Sequence, residues 1–427
     1  MKAIVDCNNF YCSCERLFKP HLDKKPVVVL SNNDGCIISR SDEAKKLGVE
    51  MAGPYFMAKP LIQEHNISVF SSNYNLYGDL SWRVMETLKM LFGKKNVEVY
   101  SVDEAFVDLR VFSNEELDDI ASQIRETVET WTGIKVSVGI GPTKVLAKLA
   151  NRLAKKNKQQ TNCITVLNTD EKIIEALHKT PVGDIWGVGF KYAQKLKTLW
   201  GIETALQLRN MNEDFAKTYF GGVTGVRLIR ELKGVASKKM EDELVNKKMI
   251  ATTRMFGSPV GDINDIKEAV ATYTSRAAEK LRRQQSAAKV VSVFVVTKDQ
   301  DHMLNFKKHG TITNHVTLPV ATSFTNELIK PAVELVDTLY EKGQLYKKAG
   351  VMLSGIVPDE SIQGNLFVTE NKNCERKLMD MIDNINFSQR DDVLKFAASG
   401  TTRDWKMRQE LRSPRYTTRW DELYGIS

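Results

Sequence analysis

Three carboxylates carry the first chemical signal in this sequence. Asp6 ends the apolar N-terminal run MKAIVD. Asp103 and Glu104 fall in the polar break of VEVYSVDEAFVDL, residues 97–109, between two alternating runs that read as a hairpin. Burying a lone charge is costly, so an acid that closes an apolar strand stands out. Adjacent acids on a continuing strand point to opposite faces, whereas a turn lets both face one pocket. With Asp6 on the neighbouring strand, all three converge. At ~4 Å and an effective dielectric near 20, each like-charge pair repels by roughly 4 kcal/mol. Cations relieve that repulsion, and hard oxygen donors favour Mg2+. A pair of such ions is what nucleotidyl transfer uses to activate a hydroxyl and hold a triphosphate. Taken singly, each acid reads equally well as a turn residue or a strand end.

The elements around these acids follow from periodicity. Residues 1–6 and 26–31 (PVVVLS) read as short buried strands, and SRSDEAKKLGV, 39–49, reads as a helix stopped by Gly48. Leu117, Ile120, Ile124 and Val128 put an apolar stripe on a helix over 115–131. KVSVGIG, 135–141, is a strand ending in a glycine turn, followed by a helix over 143–156. This is an α/β layer with mostly antiparallel pairing. From about 168 to 235 the pattern changes to short helices broken by glycines. The charged run 236–248 reads as a linker. A second α/β domain spans 249–357, with a strand at 290–298 and helices at 268–285 and 325–342. A polar tail, 358–427, closes the chain.

The length of 427 residues exceeds a single core and suits about two to four domains. The formal charge of +8 favours polyanionic partners. No apolar run is long enough for a membrane span, and the N-terminus has no secretory pattern, so a cytoplasmic protein without membrane contact is expected. Cys7, Cys12 and Cys14 lack paired zinc spacing and read as reduced, partly buried thiols.

DCNNFYCSCE (6–15), PVVVLSNNDGCIISRSDEAKKLGV (26–49), FSSNY (70–74), YSVDEAFVDL (100–109) and GIGPTKVLAKLAN (139–151) together resemble the motifs of Y-family translesion DNA polymerases. NNDGC (32–36) and LRSPRYTTRW (411–420) resemble the UmuC branch of that family. The resemblance runs almost end to end. It implies a multidomain α/β and α+β right-hand polymerase: palm 1–10 and 74–167, fingers 11–73, helix-hairpin-helix thumb 168–235, linker 236–248 and little finger 249–357. It implies error-prone, template-directed synthesis past lesions in the SOS response, with two Mg2+ ions, dNTPs and primer-template DNA.

By the same resemblance, Asp6, Asp103 and Glu104 are catalytic metal ligands, joined by the Cys7 carbonyl. Tyr11 falls at the steric gate, where a ring under the sugar excludes a 2′-hydroxyl; as a residue it reads equally as a core aromatic. Ser39, Asp42 and Lys45 share a helix face that would meet the triphosphate. Many relatives outside this branch carry Tyr and Arg where this chain has Asp42 and Lys45. Asp42 is not a direct phosphate ligand without a metal and reads as a solvated face. Lys144, Lys148, Arg152 and Lys155 form one basic stripe, and Lys155 would reach the β- and γ-phosphates.

IWGVGFKYAQKLKTLWGI, 185–202, resembles a helix-hairpin-helix. Gly187 and Gly189 let the backbone approach a DNA phosphate, and Lys191 and Lys195 add charge. Arg254, Arg282, Arg283, Lys289 and Lys298 are candidate phosphate contacts. QGNLF, 363–367, resembles a sliding-clamp pentapeptide, with Gln363 as polar hook and Leu366 and Phe367 as anchors. The UmuC resemblance also implies a processed UmuD-like dimer and a RecA filament as partners. Three other readings stay open: a DinB-type polymerase, a palm-fold nucleotidyl cyclase, and a non-catalytic DNA-binding protein.

Overall fold

Strand β1 (Lys2–Cys7), KAIVDC, holds a central place and is buried on both faces from Ala3 to Cys7. In the computed structural model, which describes residues 1–241, 246–298, 310–364, 372–389 and 392–423, β1 lies between β6 (Glu104–Asp108) and β7 (Val136–Gly141), antiparallel to both. β5 (Val97–Val99) and β8 (Ile164–Val166) extend the sheet in the order β5-β6-β1-β7-β8. Alternate residues serve opposite faces. Ala3, Val5 and Cys7 join the larger core with helices Tyr74–Phe92 and Leu117–Thr132. Ile4 and Phe106 face the other way, onto Ala147 of helix Lys144–Lys156. Asp6 and Glu104 share the parity of Ile4 and Phe106, so strand alternation aims them at that helix.

Glycine permits the close approach of this helix. A Cβ on Gly139 would sit 2.1 Å from the Asn151 nitrogen and 2.5 Å from the Ala147 carbonyl oxygen. The GIG sequence therefore sets how near the lysines of the helix come to the acids of the sheet.

A smaller sheet has the order β3-β2-β4, from β2 (Val27–Leu30), β3 (Ile37–Arg40) and β4 (Ser68–Ser71). Its apolar side packs with Ala44, Val49, Ile62 and Ile67. The helix expected over 39–49 is shorter, Asp42–Lys46, because Ser41 caps it by accepting from the Ala44 N–H. Ser39 belongs to β3 instead. Helices Asp170–Lys179, Phe190–Trp200, Ala205–Arg209, Glu213–Tyr219 and Val223–Leu232 build a separate core, which includes Val145, Leu146 and Leu149.

The chain divides into two units: Met1–Ser31, Gly35–Leu244 and Leu411–Ser427 in one, Asn32–Asp34 and Val245–Glu410 in the other. The second unit holds an antiparallel sheet, β11-β10-β12-β9, made by β9 (Ile250–Val260), β10 (Ser286–Thr297), β11 (Thr311–Thr322) and β12 (Tyr346–Pro358). Helices Ile263–Arg283 and Thr325–Leu339 cover it, and Trp405 joins their core. The tail, read from sequence as one partner-binding extension, divides in two. Helix Lys372–Gln389 belongs to the second unit, and Leu411–Ser427 to the first. Polar composition hid this return, because its anchors are Ser413, Arg412 and Tyr416 rather than an apolar run. No helix among the described residues is long and apolar enough to cross a membrane.

Candidate active site

Asp6 and Glu104 are register partners across β1 and β6, and each carboxyl bears on the ionisation of the other. Burial pushes Asp6 well above the usual carboxylate range, and the neighbouring Glu104 adds to this against the opposing Lys155. Burial also raises Glu104, but hydrogen bonds from Asp6 and Lys148 outweigh it and hold Glu104 low. Lys148 Nζ meets both Glu104 oxygens, at 2.7 and 2.8 Å. Lys155 pairs with Asp6. The acids line a cleft of about 600 Å³ with Lys148, Arg152, Lys155 and Trp186.

The third acid stands apart from this pair. Asp103 Oδ1 accepts the Ser101 hydroxyl at 2.6 Å, while the Asp103 carbonyl accepts the Cys7 N–H at 2.8 Å. The expected convergence of three carboxylates is thus a convergence of two, with Asp103 one residue away along the turn. Among the described residues no three His, Cys, Asp or Glu side chains form a metal-binding group. Mutual repulsion accounts for it: the lysines neutralise two acids, and a hydroxyl takes the third. The donor set still fits a hard divalent cation, since Asp6 and Glu104 present carboxylate oxygens to one cleft and Asp103 precedes Glu104 by one residue. Cys7, Cys12 and Cys14 are buried free thiols, as their spacing implied.

The basic stripe is corrected by its partners. Lys144 is buried against Glu98 at 2.5 Å, Lys148 binds Glu104, Arg152 binds Asp184 at 2.6 Å and Lys155 binds Asp6. Acids absent from the helix itself come from other elements, which sequence spacing does not reveal.

Tyr11, on helix Phe10–Leu17, stacks on Tyr77 with ring centroids 4.6 Å apart and planes 17° apart. Burial pushes its hydroxyl up to about 12. Ser39 does not share a face with Lys45; it is buried on β3 and donates to Cys12 Sγ at 3.3 Å. Lys45 Nζ donates to Asn9 Oδ1 at 2.5 Å and to Asp42 Oδ1 at 3.0 Å. Asp42 Oδ2 accepts from Lys158 at 2.5 Å. Burial raises Asp42, but hydrogen bonds from Lys158, Lys45 and Asn9 outweigh it and hold the carboxyl far below its ordinary value. Asp42 is therefore no bare solvated residue. Asn9 and Lys158 escaped the sequence reading: Asn9 works from a left-handed backbone position, φ 47°, ahead of its helix, and Lys158 lies beyond the basic helix.

Gly187 adopts φ +102°, and Gly189 precedes helix Phe190–Trp200 with nothing within 4 Å of an added Cβ. Lys191 and Lys195 are exposed on that helix. The glycine turn follows a single 3-10 turn, Val182–Asp184, and the longer preceding helix ends at Lys179. In the second unit Arg254, Lys289 and Lys298 are exposed. Arg282 is not a surface cation: it is buried and binds Asp383 at 2.7 Å and the Ser323 carbonyl at 2.6 Å. Arg283 pairs with Glu279 at 2.6 Å. Gln363 is exposed, whereas Leu366 and Phe367 lie outside the described residues.

Residues 5–152 match the impB/mucB/samB family and residues 247–366 its C-terminal domain; 376–426 match a domain of unknown function. The chain is 41% identical to Protein UmuC of Salmonella typhimurium over 431 residues, covering 100% of both chains. It is 39% identical to Protein ImpB of the same organism, covering 99% of each. A DNA polymerase IV of Corynebacterium diphtheriae is 28% identical, over 99% of this chain and 90% of that one. A Y-family DNA polymerase chimera of Dbh and Dpo4 superposes with a TM-score of 0.68 at 22% identity, over 84% of this chain and 100% of that chain. An insertion ternary complex of Dbh DNA polymerase gives 0.55 with the same identity and coverage. The structural likeness establishes the right-hand polymerase fold, and the full-length identity establishes the branch. The chain belongs to the impB/mucB/samB family, the UmuC-type, error-prone translesion DNA polymerases of the Y family.

Proposed function

We propose that this chain adds deoxynucleotides to a primer 3′ end opposite damaged template, using Asp6, Asp103 and Glu104 with two Mg2+ ions. The observation that carries this reading is the pairing of buried Asp6 with partly buried Glu104, matched by Lys155 and Lys148. Y-family polymerases depend on metal ions. Held by the three carboxylates and the Cys7 carbonyl, Mg2+ would supply an acidified primer hydroxyl and charge neutralisation at the leaving pyrophosphate.

The protein's own groups do the rest. Lys155, already paired with Asp6, would meet the β- and γ-phosphates. Lys45 and Lys158, gathered by Asp42, add two further charges for the triphosphate. Ser39 acts behind this surface, through Cys12, rather than on the nucleotide. Tyr11 places a ring beneath the sugar and rejects a 2′-hydroxyl by clash. The Gly187–Gly189 turn with Lys191 and Lys195 grips the duplex backbone without reading sequence, and exposed Arg254 adds a phosphate contact. Palm, fingers, thumb and little finger take the residue ranges given above.

The setting we propose is the SOS response. A sliding clamp would take Gln363, Leu366 and Phe367, and a processed UmuD-like dimer and a RecA filament would complete the active assembly. The test is primer extension with Mg2+ and dNTPs on undamaged and abasic templates, comparing wild type with Asp103→Ala. Clamp, RecA filament and processed UmuD-like protein are included. Extension past the lesion, lost in Asp103→Ala, supports the proposal. Lesion bypass that survives Asp103→Ala, or none from folded protein with every partner present, overturns it.

A further inference from the structure

The last stretch of the first unit runs directly behind Tyr11's partner ring. Glu15 follows Tyr11 by four residues on the same helix, so both side chains leave one face. Both touch Tyr77. The Tyr11 ring stacks on the Tyr77 ring, and the Tyr77 hydroxyl donates to Glu15 Oε1 at 2.6 Å. Glu15 is fully buried. The same Oε1 accepts a second hydrogen bond, from the Ser413 hydroxyl at 2.9 Å. Oε2 has no hydrogen-bond partner among the described residues. Ser413 is buried as well and held on its other side: Asn73 Nδ2 donates to its carbonyl and hydroxyl oxygens, each at 3.0 Å, and to the Pro414 carbonyl at 3.1 Å.

The tail is fastened at both ends of this contact. Ser71 N–H donates to the Leu411 carbonyl at 3.0 Å, and the Leu411 N–H returns to Ser71 Oγ at 2.9 Å. Two residues beyond Pro414, Tyr416 stacks on Phe18 with centroids 4.6 Å apart. Four tail residues thus hold the helix that carries Tyr11, the cap of the helix that carries Tyr77 and the end of strand β4 just before it.

A parallel ring stack is laterally soft, because sliding one ring over the other changes little contact area. Directional hydrogen bonds set where the Tyr77 ring stops. Its hydroxyl is fixed by Glu15, and Glu15 is fixed by the Ser413 hydroxyl. A steric gate works by a clash of tenths of an ångström, so the lateral position of its backing ring matters to it.

We propose that residues Leu411–Tyr416 are a positioning strap for sugar selection, acting from Ser413 through Glu15 and Tyr77 onto the Tyr11 ring. The proposal rests on Tyr11 being the steric gate. It makes Ser413 and Tyr77 positioning residues that never touch the nucleotide. Burial raises the Glu15 carboxyl, and the Tyr77 and Ser413 hydroxyls oppose this; removing either leaves the carboxylate short of a donor.

The experiment measures single-nucleotide insertion of dCTP and CTP opposite template guanine by the full chain with its partners. Wild type, Ser413→Ala, Tyr77→Phe and Tyr11→Ala are compared. Each efficiency ratio is independent of the fraction of folded enzyme, so partial unfolding does not move it. Ser413→Ala and Tyr77→Phe are each expected to raise the CTP-to-dCTP ratio about tenfold, chiefly through the KM for CTP. In a Tyr11→Ala background, Ser413→Ala is expected to add nothing. A raised ratio in Tyr11→Ala with no change in Ser413→Ala and Tyr77→Phe overturns the strap and leaves the gate standing. An unchanged ratio in Tyr11→Ala overturns the gate, and the strap falls with it.

Discussion

Lys148 Nζ binds both oxygens of Glu104, at 2.7 and 2.8 Å, so a lysine occupies the ground that the proposed catalytic cation would need. The same ammonium lies over the rings of Tyr100 and Trp186, 4.7 and 5.4 Å from their centroids. It neutralises the acid and is held in place while doing so. Lys148→Met removes a competing cation but leaves a partly buried carboxylate unpaired, at a cost of about 1–3 kcal/mol. The variant is expected to unfold at lower temperature without metal and to bind Mn2+ about tenfold more tightly, as titration calorimetry reads directly. Equal or weaker Mn2+ affinity would show that Lys148 does not compete with the metal.

Gly139 governs the distance between that lysine and the sheet. An alanine methyl would meet backbone atoms of the Lys144–Lys156 helix at 2.1 and 2.5 Å, and backbone has no rotamer by which to yield. Gly139→Ala is expected to cost about 3 kcal/mol or more, at the severe end of single substitutions. Urea unfolding measures the loss. A variant as stable as wild type would mean that helix and sheet slide apart without penalty.

Asp42 gives a pH test with a definite sign. Its carboxyl is held low in the folded chain, so the charged form contributes stability that is fully present above the ordinary aspartate value, about pH 4. That contribution fades as the pH falls through the folded value. The side chain is 42% exposed, and screening keeps the effect to about 1 kcal/mol or less. Asp42→Asn is therefore expected to lower the melting temperature at neutral pH and to match wild type in strong acid. A gap between the two that widens on acidification would contradict the assignment.

The local elements were legible because each rests on local physics. Alternating apolar residues mark β6, and an apolar stripe marks Leu117–Thr132. Asp6 and Glu104 were legible as members of an expected three-acid cluster, and the strand register brings these two together. What the sequence hid was long-range pairing between polar groups. Nothing near Lys155 announces Asp6, and nothing near Arg282 announces Asp383, 101 residues away. The helix read over 39–49 failed at Ser39 because the cap at Ser41 outweighed the helical spacing of Asp42 and Lys45. Ser413 was invisible as an anchor: a serine in a polar tail has no pattern, and its value comes from a glutamate 398 residues earlier.

The two glycines of the hairpin have different physical reasons to be glycine, and substitution separates them. Gly187 sits at φ +102°, where an alanine is strained by about 1–2 kcal/mol. Gly189 sits at φ −77° with open space around it, so folding tolerates an alanine there. If this turn approaches DNA phosphates, the open space is where the backbone of the duplex lies. Gly187→Ala is expected to lower stability. Gly189→Ala is expected to leave stability unchanged and to weaken binding to primer-template several-fold. Lys191→Ala and Lys195→Ala act differently again, through charge alone. Each should reduce the slope of log affinity against log salt by about one, equally on all sequences. Fluorescence anisotropy across a salt series, paired with thermal unfolding, reads all four variants. Full-strength binding by Gly189→Ala, with salt slopes unchanged in both lysine variants, would place the duplex elsewhere on the chain.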